Sequence, residues 1–94
     1  MRIDIRRLKA ELRMTAGLCR EARITYQDSQ RPPTEGKIPA WKASMTRDQM
    51  SWHMTKLCIF RAHLRGVKHI QKSSMEIDEA AIIETMERDF ALKE

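Results

Sequence analysis

The side chains best suited to chemistry in this chain are cations at helical spacing. Arg2, Arg6, Lys9, Arg13 and Arg20 follow one another at intervals of three, four and seven, which places them on one stripe of a helix. Arg6, Arg13 and Arg20 keep a heptad register. Such a row can run along a phosphate backbone or meet an acidic protein surface. The competing reading is a solvated face, or one neutralised by the chain's own acids. A second basic cluster comprises Arg47, Arg61 and Arg65, joined by Lys68 and Lys72 if the helical path continues past Gly66. Between Arg61 and Lys72 there are four permanent cations, His63 and His69, and no acid. Guanidinium forks there could take phosphate or carboxylate in bidentate fashion.

Other chemistries find less support. His53, Cys58 and His63 are five apart and point to different sides of a helix, whereas zinc needs converging ligands. No nucleophile-and-base pair, Gly-rich phosphate loop or paired-carboxylate motif is present, and Glu84 and Glu87 read as solvated charges. The chain reads as non-catalytic, with no cofactor and no metal implied. Cys19 and Cys58 belong to no C-x-x-C pair and read as reduced, buried thiols of a cytosolic protein. No run of about 18 apolar residues suggests a membrane span. The opening Met-Arg-Ile-Asp-Ile-Arg-Arg lacks the apolar region of a secretory signal, so a cytoplasmic location is expected.

Three helices must position these residues. Ile5, Leu8, Leu12, Thr15, Cys19, Ala22 and Tyr26 repeat every three or four residues, predicting a first helix from about Asp4 to Ser29 that packs on a nearly antiparallel neighbour. Within it, Gly17 is expected to permit a close approach. All three prolines lie between Pro32 and Pro39, which predicts a connecting loop over 30–45, with Ile38, Pro39 and Trp41 packing back on the body and Trp41 as its staple. Thr46-Arg47-Asp48-Gln49 fits a capping box, so the second helix is expected over 46–65, ending before Gly66 at the usual C′ position. Its Met50, Met54, Leu57, Phe60 and Leu64 form one apolar face, and Trp52 and Ile59 a second strip with His63 beside it. A helix apolar on two sides belongs in the middle of a bundle. Ser73-Ser74-Met75-Glu76 fits another capping box, predicting a third helix over 74–92 with Met75, Ile82, Ile83, Met86 and Phe90 inward. The seven methionines read mainly as core filling.

The architecture expected is all-α: a three-helix bundle in one domain, 1–94, with a long antiparallel hairpin of the first two helices, a Pro-rich connecting loop and an acidic C-terminal helix. Net charge is +5, but residues 1–30 carry +3, residues 31–72 carry +7 and residues 73–94 carry −5. That asymmetry points to an anionic partner on the first two helices: nucleic acid, or an acidic protein surface. A helix-turn-helix reader fits poorly, because phosphates would repel an acidic third helix. The alternative is a protein–protein module that blocks another protein through Trp41, Trp52, Ile59 and His63; a homodimer through the first helix is a third reading. In its size, compressed organisation and absence of catalytic motifs the chain resembles small accessory proteins of bacterial viruses, a resemblance of type rather than of motif, which implies a host protein as a target.

Overall fold

The computed structural model describes residues 2–30, 38–70 and 76–93. It is a three-helix bundle of α1 (Ile5–Ser29), α2 (Ala40–Leu64) and α3 (Glu79–Asp89). Helix α2 is the shared neighbour. It packs along α1 and against α3.

Helix α1 begins where the sequence indicates. The Asp4 carboxylate accepts from the Arg7 N–H, satisfying one of the amides a helix N-terminus leaves free. Its apolar stripe turns inward, with Leu8, Leu12, Thr15 and Ala22 buried and Cys19 and Tyr26 half-buried. Ile5, at its start, stays 44% exposed. Gly17 is not a close-approach site: nothing lies within 4 Å of where a Cβ would stand.

Helix α2 starts six residues earlier than its capping-box signal suggests. Pro39 occupies the N-cap position without a side-chain cap, and its carbonyl accepts from the N–H of both Lys42 and Ala43. The Thr46 hydroxyl caps nothing; it donates back to the Lys42 carbonyl one turn earlier, the usual fate of a threonine inside a helix. Residues 40–45 of the expected loop are therefore the start of α2, its Pro-rich residues 31–37 lie outside the described residues, and Trp41 is not a staple but 67% exposed. Ile38 too is exposed rather than packed on the body. The other end agrees with the sequence. Gly66 has φ +68°, the Gly66 N–H donates to His63 O and the Val67 N–H to Ala62 O, the paired bonds of a Schellman motif.

Helix α3 is shorter than expected. Asp78 caps it by accepting from the Ala81 N–H, and residues 76–78 precede it without helical structure, so Glu76 is not inside the helix as the expected capping box requires; Ser73, Ser74 and Met75 lie outside the described residues. It ends at Asp89, because the chain beyond turns to meet the start of the protein. The Asp4 N–H donates to Phe90 O at 2.7 Å and the Leu92 N–H to Arg2 O at 2.8 Å, bracketing an antiparallel bridge between Ile3 and Ala91.

The core lies where the three helices come together. Leu8, Leu12, Leu57, Ile59, Phe60, Ile82, Met86 and Phe90 form one buried cluster, with Ile3, Met54, Ile77 and Ile83 packed against it. Phe60 and Phe90 stack with centroids 6.1 Å apart, and the Arg7 guanidinium covers Phe90 at 4.7 Å. The second apolar strip of α2 is divided by the length of α3. Ile59 is buried, whereas Trp52 is 38% exposed. Among the described residues, no helix is long and apolar enough to cross a membrane.

Candidate functional site

The antiparallel pairing of α1 and α2 brings the start of one beside the end of the other. Two basic residues from each helix, Lys9 and Arg13 on α1 and Arg61 and Arg65 on α2, surround a groove of about 330 Å³ floored by Ile5, Leu8, Leu12 and Leu64. Each pair is spaced i, i+4, so each wall carries two cations about 6 Å apart along its helix. Among the described residues, no carboxylate lines the groove. An apolar floor beneath four positive charges lowers the local dielectric and concentrates their field, which suits an anion better than an open surface does.

The remaining basic residues of the sequence reading distribute around this groove. Arg2 and Arg6 are exposed at the same end of α1, and Arg20 is exposed further along it. Arg47 is 14 positions before Arg61, about 21 Å along the helix. Its guanidinium sits 3.9 Å from the Tyr26 ring centroid and 3.4 Å from Asp48, so it is occupied within the fold. Lys68 is exposed after the Gly66 turn, where α2 has already ended, and Lys72 lies outside the described residues.

The acids of α3 answer a different set of groups. Glu87 approaches His63 at 3.7 Å, Glu79 approaches His69 at 3.9 Å, and Glu84 pairs with Arg88 of the same helix at 3.9 Å. Among the described residues, no ion pair joins an α3 carboxylate to a basic residue of the groove. On the far side of the bundle, His53 Nε2 meets Glu11 Oε1 at 3.0 Å; these half-buried side chains tie α1 to α2. His53 is thus a packing residue at the edge of the core.

Among the described residues, no group of three or more His, Cys, Asp or Glu could hold a metal ion. Cys19 and Cys58 are free and half-buried rather than fully buried, and the Cys19 thiol donates to Met50 O at 3.3 Å. Of the surfaces suggested for protein docking, Trp41 and Trp52 are exposed on α2, Ile59 is core, and His63 faces Glu87.

What the sequence could not single out is the apolar floor. Ile5 and Leu64 each belong to an inward stripe on helical periodicity, yet both stay uncovered where the start of α1 lies beside the end of α2, 44% and 38% exposed. No protein-family model, curated protein or solved structure matches the chain.

Proposed function

We propose that this protein is a non-catalytic helical binding module that docks its basic α1–α2 face on an anionic macromolecule, either nucleic acid or an acidic face of a nucleic-acid-handling complex. One observation supports the reading: Lys9, Arg13, Arg61 and Arg65 converge on one groove that no carboxylate of the described residues lines. Cations left without internal partners are available to an external one, and clustering them without that benefit raises repulsion within the fold.

The test is a titration of a fluorescently labelled duplex and of an acidic peptide at several salt concentrations. Engagement of four phosphates by these side chains should give a log-log salt slope of about −3.6 on duplex DNA. The double change Arg13→Glu and Arg61→Glu should abolish binding to both probes while the thermal melt stays in place. Binding unmoved by either salt or charge reversal would remove the reading.

A second reading has its own observation. Trp41, Met45 and Trp52 are exposed on one strip of α2, as a surface for an apolar protein partner would be. In that reading the protein is an interaction module or inhibitor of another protein, and Trp41→Ala with Trp52→Ala removes its activity while charge reversal leaves it intact. The inward stripe of α1 is already spent on α2, so a homodimer through that stripe is not proposed.

A further inference from the structure

The groove has a property that a charge-only docking surface does not need: its floor is aliphatic and open. Ile5 is 44% and Leu64 38% exposed, and both lie between the cationic walls with Leu8 and Leu12 beneath. A phosphate ribbon would satisfy the walls and leave those side chains against water or sugar. Bases would gain little there either, because stacking needs aromatic faces and none lines the groove. Resting on the basic-face reading above, we infer that the groove takes an acidic amphipathic helix from another protein, seated with its apolar stripe on Ile5 and Leu64. Its acids would flank that stripe, one row toward Lys9 and Arg13, the other toward Arg61 and Arg65.

The complementarity follows from helix geometry. A helix with apolar residues at i, i+3, i+4 and i+7 presents a narrow stripe with polar positions along both edges. The groove offers the inverse pattern, with two cations on each side of a strip of Ile and Leu. Burial of the stripe supplies affinity, while the charges fix orientation and speed the encounter.

Three probes separate the outcomes: a synthetic helical peptide of about 16 residues with leucines on one stripe and Asp or Glu at its edges, a scrambled peptide of the same composition, and a single-stranded oligonucleotide. Each is titrated by fluorescence anisotropy into the wild type, Leu64→Gln and Ile5→Gln. Both substituted side chains are substantially exposed, and circular dichroism melts verify that each variant folds; if Leu64→Gln melts early, Ile5→Gln decides. The helical peptide should bind about tenfold more tightly than its scramble, and the floor variants should erase that advantage while leaving the oligonucleotide unaffected. Equal binding of the two peptides, or tightest binding of the oligonucleotide with no response to the floor variants, overturns the inference while the basic-face reading stands. Failure of all three probes to bind at low salt overturns both.

Discussion

Phe60 and Leu57 show how unequally the apolar side chains of α2 contribute. Both have 0% exposure, so truncating either leaves a cavity as well as losing transfer energy. Phe60→Ala should cost about 3–5 kcal/mol, against a total stability of roughly 5–14 kcal/mol for a chain of this length. Trp41→Ala, at an exposed position, should shift stability by less than about 0.5 kcal/mol. Urea unfolding midpoints of the two variants check this directly. The glycines divide in the same way. Gly17 is interior to α1 with open space around it, so Gly17→Ala should stabilise by about 0.5–1 kcal/mol through helix propensity and raise the melting temperature by several degrees. Gly66, at φ +68°, needs its missing Cβ, and Gly66→Ala should cost about 1 kcal/mol.

Among the elements, the caps separate true boundaries from apparent ones. Asp78→Ala should destabilise by about 1 kcal/mol, because it removes the acceptor for the Ala81 N–H; Thr46→Ala should be neutral within about 0.5 kcal/mol, since Thr46 is interior to α2. Differential scanning calorimetry of the pair tests whether α2 begins at Ala40. Helix α1 was legible at both ends, because Asp4 is an N-cap and the apolar stripe is uninterrupted. The start of α2 was not. Thr46 through Gln49 satisfies a capping pattern in composition alone, and the decisive signal is Pro39 followed by residues with no breaker among them, the arrangement that opens a helix without a side-chain cap. Helix α3 was overextended because Ser73 through Glu76 fits a capping pattern in composition and Phe90 continues the apolar face, while Asp78 caps the helix and the backbone of residues 90–92 pairs with residues 2–4 instead. The basic residues of the groove were visible as types. Their convergence depends on the antiparallel register of two helices, which periodicity within each cannot supply.

For the whole molecule, the contrast in helix length governs the surface. Helix α3 has 11 residues and α2 has 25, about 16 Å against 37 Å. Helix α3 therefore covers Ile59 but leaves Trp52, Met45 and Trp41 on the same strip open. Among the described residues, the carboxylates of the short α3 approach His63, His69 and Arg88, and none pairs with a basic residue of the groove. The backbone pairing at residues 2–4 and 90–92 closes this arrangement. Leu92→Pro deletes the N–H that Arg2 O accepts and should cost about 1 kcal/mol, with faster hydrogen exchange at the Asp4 amide as its local signature.

That pairing also dictates how the fold responds to force. Because the two segments run antiparallel, with Arg2 opposite Leu92, tension drawn through residues 2 and 92 loads the Leu92–Arg2 bond first and the Asp4–Phe90 bond only after it has broken. The protein would peel open in sequence rather than shear, giving way at low load near Phe90 while the hairpin of α1 and α2 still held its shape.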